Sequence, residues 1–192
     1  MSGENLVPSA SQTVGPFFRL GLRESKIIAS STARGHHLRL ICRVFDGAGD
    51  PVSDAAIEIW QADADGRYRH PDDLQENTIA VDPSFRGFGR AFTQDDGSCE
   101  FETIKPGRVP APSGSLQAPH FNVSVFARGV LKRLPTRIYF AGESTNAEDT
   151  ILAMVPEDRR DTLMAKPSPH DPTIWYFEVH LCGERETVFF DL

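Results

Sequence analysis

Arg90-Ala91-Phe92-Thr93-Gln94-Asp95-Asp96-Gly97-Ser98-Cys99-Glu100-Phe101-Glu102-Thr103-Ile104 sets two short apolar-polar runs on either side of an Asp-Gly pair. Alternation of that kind gives a strand one buried and one solvated face, and Asp-Gly tolerates the positive φ of a tight turn. The stretch predicts strands over 90–94 and 98–104 paired as an antiparallel hairpin. The same pattern recurs outward. Leu38, Leu40, Cys42 and Val44 share one face of a strand over 38–45, followed by the turn formers Asp46-Gly47-Ala48-Gly49-Asp50. Ala56–Trp60 is a second strand. In 120–127, Phe121, Val123 and Val125 face one way, and His120, Asn122, Ser124 and Phe126 the other. Residues 137–140, 173–181 and 187–191 also read as β.

Two regions break the pattern. Pro106 to Pro119 holds four prolines and two glycines, too many backbone breaks for regular structure, and predicts a surface loop. Residues 146–155 and 156–165 read as helical, with Pro156 at a first helical position and Glu157 and Asp158 complementing the dipole. The first 35 residues carry turn formers and the adjacent Phe17-Phe18 but no useful period, which predicts an arm that packs on a partner chain. The expected architecture is all-β: a mostly antiparallel β-sandwich over 36–192, short helical excursions near 146–165 and an N-terminal arm over 1–35.

With 192 residues the chain can bury a core without disulfide or metal staples. A formal charge of −7 argues against binding a phosphate backbone, which needs clustered Lys and Arg. No apolar run reaches bilayer length, and Met1-Ser2-Gly3-Glu4-Asn5 lacks the basic start and apolar middle of a signal peptide. Three cysteines, Cys42, Cys99 and Cys182, lie far apart in sequence without a C-x-x-C pair. Together these features predict a cytoplasmic protein with structural thiols. Gly87-Phe88-Gly89 is too short for a dinucleotide fingerprint. His36-His37, Asp72-Asp73 and Asp95-Asp96 are explained by turn chemistry.

A sharper constellation joins Glu58-Ile59-Trp60-Gln61-Ala62 to Gly66-Arg67-Tyr68, then Lys105-Pro106-Gly107, then Ala118-Pro119-His120. These segments resemble the intradiol ring-cleaving dioxygenases, in which they carry two tyrosine and two histidine ligands of a non-haem ferric ion, Fe(III). Phenolate is a hard anion suited to ferric iron, and histidines at i and i+2 of one strand point the same way. Tyr68 matches the first tyrosine and His120 the first histidine. Val109 stands where the second tyrosine belongs, and Asn122 where the second histidine belongs. Valine has no donor atom, and an amide is a poor replacement for imidazole. The resemblance therefore implies vestigial ligand positions and no catalytic iron in this chain. Tyr139 and Tyr176 read as core or sheet residues.

Ser11-Gln12-Thr13-Val14-Gly15-Pro16, Phe126-Ala127-Arg128-Gly129 and Glu186-Thr187-Val188-Phe189-Phe190-Asp191 extend the likeness to the alpha chains of the two-chain members that act on protocatechuate. It implies a homologous beta chain holding the iron, and intradiol cleavage of protocatechuate by dioxygen to 3-carboxy-cis,cis-muconate, a step of aromatic-compound catabolism. It also implies that this chain is inactive alone and binds substrate through Thr13, Gly15, Pro16 and Arg128, the arginine meeting the substrate carboxylate. No catalytic residue is expected here. Two other readings stay open: a non-enzymatic β-sandwich module binding a protein partner or a small aromatic acid, and a self-sufficient dioxygenase recruiting His36, His37, His170 or His180 as replacement ligands.

Overall fold

A computed structural model of the chain describes residues 13, 15, 17–71, 73, 82–111 and 114–191. Its strands are β1 (His37–Phe45), β2 (Ala56–Trp60), β3 (Phe88–Phe92), β4 (Ser98–Ile104), β5 (His120–Phe126), β6 (Leu134–Phe140), β7 (Met164–Pro167) and β8 (Ile174–His180). They form one sheet in the order β3-β2-β5-β6-β7-β8-β1-β4. The alternation seen in β1 and β5 translates directly into burial: Leu40, Cys42, Val44, Phe121 and Val125 are fully buried. With Ile57, Ile59, Ile138 and Phe140 they build the core between the two halves of the sheet.

The all-β expectation holds, but the antiparallel sandwich needs correction. Among the described residues five of seven ladders are antiparallel, whereas β1 pairs with β8, and β6 with β7, in parallel. The two halves are also continuous. Met164 and Ala165 pair with Tyr139 and Phe140 of β6, while Lys166 and Pro167 pair with Tyr176 and Trp175 of β8. The four residues of β7 thus carry the sheet around a corner, and the whole wraps nearly into a barrel.

The predicted hairpin is also corrected. Its turn forms, with Gly97 at φ +73 and its N–H bonded to the Gln94 carbonyl at 2.8 Å. Yet β3 pairs with β2 and β4 with β1, leaving the two strands at opposite edges of the sheet. Residues 25–29 lie in the gap. Ser25 exchanges both backbone hydrogen bonds with Arg90, and Ile28 N–H donates to Glu102 at 2.9 Å. Ile28 is fully buried, worth about 1.5–3 kcal/mol as a side chain taken from water. Within the stretch read as an arm, Ile28, Ala29 and Ala33 therefore belong to this chain's own core.

The helical expectation over 146–165 resolves into a 3₁₀ turn at Ser144–Glu148, α2 at Thr150–Ala153, and a second 3₁₀ turn at Glu157–Leu163, with β7 taking residues expected to end a helix. The break has a cause in Asp149, whose carboxylate accepts from the N–H groups of Ile151 and Leu152 and so starts a new helix. Residues 187–191 form no strand, although Phe190 N–H bonds the Pro135 carbonyl at 2.8 Å. Before the sheet, α1 (Phe17–Gly21) rests the Phe18 ring on Phe92 and Phe126. No described helix is long and apolar enough to cross a membrane. Cys42 and Cys99, distant in sequence, stand opposite each other on β1 and β4 as buried free thiols.

Candidate functional site

The Trp-Gln-Ala segment at the end of β2 locks two halves of the fold together. Gln61 is fully buried, its amide donates to the carbonyls of Ala62 and Ile104, and its oxygen accepts from the Thr103 hydroxyl. Every polar atom of that side chain is satisfied, as burial requires. Asp63 then closes the next turn, accepting from the N–H groups of Asp65 and Arg67 and pairing with the Arg67 guanidinium at 2.9 Å. Gly107 N–H donates to the Asp63 carbonyl at 2.8 Å, and a Cβ on Gly107 would collide with Ala64 and Gly66. That contact explains both glycines: the loop presenting Tyr68 packs backbone to backbone on the loop presenting Val109.

Of the four positions matched to ligands, two are in direct contact beside β2 and β5. Asn122 Nδ2 donates to the Tyr68 hydroxyl at 2.9 Å, and the Tyr68 ring stacks on Trp60 with centroids 6.0 Å apart. His120 takes no part in that hydrogen bond. Its Nδ1 lies 2.7 Å from the Ala118 carbonyl, an acceptor only, so Nδ1 carries the proton. Tyr68 is therefore hydrogen-bonded by Asn122, while His120 Nδ1 donates to the Ala118 carbonyl. Burial raises the Tyr68 phenol, and the Asn122 hydrogen bond offsets part of this. Burial, aided by Arg137, lowers His120 to about 4. Val109 is buried and offers no donor atom. Neutral phenol, amide and valine do not fit a ferric ion, and among the described residues no group of three His, Cys, Asp or Glu could hold a metal.

Sequence reasoning missed the polar groups that organise this face. Arg137 stands directly opposite Asn122 on β6 and donates through Nη1 to Gln117 Oε1 at 2.7 Å and to the Tyr139 hydroxyl at 3.3 Å. Tyr139 in turn donates to Asp149 at 3.2 Å, and Ala118 N–H donates to the same carboxylate at 2.7 Å. Burial raises the Tyr139 phenol well above its ordinary value. The available signal was modest: the one charged residue of β6, two residues before a tyrosine. Beside these groups opens a cavity of about 730 Å³, with Trp60, Phe88, Arg133 and Val188 in its walls.

A second cluster lies at the other end of β5. The Thr13 hydroxyl accepts from Gly129 N–H at 2.7 Å, which brings the N-terminal segment against the Arg128 turn. The Arg128 side chain is 72% exposed and pairs with Asp54. Gly15 is exposed, and a Cβ there would meet nothing. Pro16 lies outside the described residues. β5 has seven residues, so roughly 20 Å of extended chain separates this cluster from His120. The replacement histidines do not assemble either. His37 opens β1 and hydrogen-bonds the Ala33 carbonyl, whereas His180 stacks on Phe45 at the far end of the same strand.

Comparison with known proteins gives the family. A family model described as Dioxygenase matches residues 22–181. The chain is 41% identical to the protocatechuate 3,4-dioxygenase alpha chain of Burkholderia cepacia, over 97% of this chain and 98% of that one. It is 37% identical to the beta chain from the same organism over 69% of this chain and 56% of that one. Among solved structures, the dioxygenase domain of a dioxygenase–carbohydrate-binding fusion from Streptomyces sp. SirexAA-E superposes with a TM-score of 0.62 at 27% identity, covering 92% of this chain and 99% of that domain. Family match, full-length likeness and shared fold lead to one statement: the chain belongs to the intradiol ring-cleaving dioxygenases.

Proposed function

We propose that this chain is the alpha subunit of a protocatechuate 3,4-dioxygenase, completing a substrate pocket whose ferric ion belongs to a homologous beta chain. The observation that carries the reading is the separation on β5. The vestigial ligand positions and the Thr13–Arg128 cluster lie at opposite ends of the strand, so the cluster serves a centre that another chain supplies. Thr13, held to Gly129, fixes the approach of the arm. Gly15 lets backbone come close to a ring, and Pro16 stiffens the segment. Arg128 offers a planar fork of donors to the carboxylate of protocatechuate, orienting the ring so that its two hydroxyl-bearing carbons face the partner's centre. The product is 3-carboxy-cis,cis-muconate. The compartment is the cytoplasm, which suits two thiols kept free although they stand in register.

The test is Arg128→Ala in the assembled two-chain enzyme. Hydrogen bonds to charged groups contribute about 1.5–3 kcal/mol, so KM for protocatechuate rises about ten- to a hundredfold while catechol, which lacks the carboxylate, is little affected. Equal losses on both substrates overturn the assignment. Ring cleavage and tyrosinate-to-ferric colour appear when both chains are mixed; either in this chain alone rejects the subunit reading.

The cavity beside Arg137 favours one second reading, a module that binds a small aromatic acid unaided. Calorimetry of protocatechuate against the lone chain distinguishes them, since heat of binding without the partner supports the module.

A further inference from the structure

Half of the vestigial site keeps the shape of a working one. Metal-ligating histidines donate the ring N–H that faces away from the metal to a carbonyl or carboxylate, which fixes the tautomer and aims the other nitrogen. His120 does this with the Ala118 carbonyl at 2.7 Å. Tyr68 is likewise held, by its stack on Trp60 and its bond from Asn122. What differs is the charge among them. Cross-strand neighbours on one face stand about 5 Å apart at Cβ, and Arg137 is the neighbour of Asn122. Its Nη1 is fixed by Gln117 and by Tyr139, whose ring packs on His120 with centroids 5.7 Å apart. The positive charge of Arg137 acts on Tyr68, His120 and Tyr139 alike.

We propose that Arg137 fills the place of the metal in this site and bars a ferric ion from it, so that replacing the missing ligands does not restore metal binding unless Arg137 is also removed. A trivalent cation and a guanidinium repel strongly where little water screens them. The fixed arginine supplies one positive charge to a cluster of neutral phenols, where a ferric ion would need two phenolates. The proposal rests on reading Tyr68, Val109, His120 and Asn122 as former ligand positions.

Two forms of the full chain decide it: Val109→Tyr with Asn122→His, and the same pair with Arg137→Gln. Each is purified, checked for native circular dichroism, loaded with ferric ion, and measured for bound iron and for the visible tyrosinate-to-ferric band. The triple variant takes up about one ferric ion per chain and shows the band, while the double variant holds at least about tenfold less, the expected outcome of charge repulsion at this range. Equal iron and colour in both overturn the part assigned to Arg137. Iron in neither folded variant overturns the ligand-position reading, and the proposal with it. Arg137→Met, which keeps the stem and removes the charge, replaces Arg137→Gln should that form fail to fold.

Discussion

His120 shows how one buried side chain ties stability to pH. The imidazole is 2% exposed and, through burial and then the nearby Arg137 charge, binds a proton only near about 4 in the folded chain, with the Ala118 hydrogen bond and then Asp149 opposing. An unfolded histidine binds one near 6.5. Between those values the unfolded state holds a proton that the folded state refuses, so stability rises with pH through the window and is fully present above 6.5. Falling from pH 7 to 4 therefore costs the fold up to about 3 kcal/mol through this residue alone. His120→Gln keeps a donor for the Ala118 carbonyl and removes the titration. Urea unfolding at several pH values shows a shallower acid limb for the variant; parallel curves would remove His120 from the acid response. The part of positions 68, 109, 120 and 122 as former ligand positions is a proposal, but their residue types were legible in the sequence. Hydrogen-bond partners were not, since Asn122 rather than His120 reaches Tyr68 only once two loops have packed through Gly66 and Gly107.

Elements were legible in proportion to their length and alternation. β1 and β5, with regular inside-outside burial, match their expected ranges to within a residue, whereas β7 has four residues, Met164-Ala165-Lys166-Pro167, and divides its pairing between two neighbours. No period can show in so short a segment, and its flanking 3₁₀ turns draw it into a helical reading. The β3–β4 turn was equally visible, but not the insertion that parts its strands. That insertion depends on a missing side chain: a Cβ on Gly89 would stand 2.6 Å from Ile28 Cγ1 and 2.9 Å from the Ser25 carbonyl. Gly89→Ala forces the seam apart and destabilises the chain by about 1–3 kcal/mol. Contacting residues couple, so Ile28→Ala, which removes both Cγ1 and Cδ1, costs less in the Gly89→Ala chain than in the parent chain. Chemical denaturation of both single variants and the double decides the matter, and simple addition of the two losses would show that the close approach is not the cause.

At the scale of the molecule, the seam divides the first 35 residues into two parts with different work. Residues 25–33 complete the wrapped sheet: they bridge β3 to β4 and bury Ile28, Ala29 and Ala33. The sequence did not reveal this boundary, because a bridging segment with one or two hydrogen bonds to each neighbour carries no period of its own. Thr13 is tied instead to the Arg128 turn through the Gly129 N–H. Deleting residues 1–16 removes the described hydrogen bonds from Gly129 N–H to Thr13 and from Phe18 N–H to Gly15 but keeps Ile28, Ala29 and Ala33, so the lone chain still melts cooperatively, its melting temperature lower by about 2–4 °C for each kcal/mol lost. With Thr13, Gly15 and Pro16 assigned to the substrate pocket as proposed above, activity of the assembled enzyme on protocatechuate drops sharply. Deleting residues 1–33 removes the seam as well, exposes the facing edges of β3 and β4, and yields an insoluble chain. Calorimetry and solubility of the two truncations separate these roles. A soluble, cooperative melt from the longer deletion would show that the sheet closes without its insertion, and full activity from the shorter one would take the arm out of the substrate pocket.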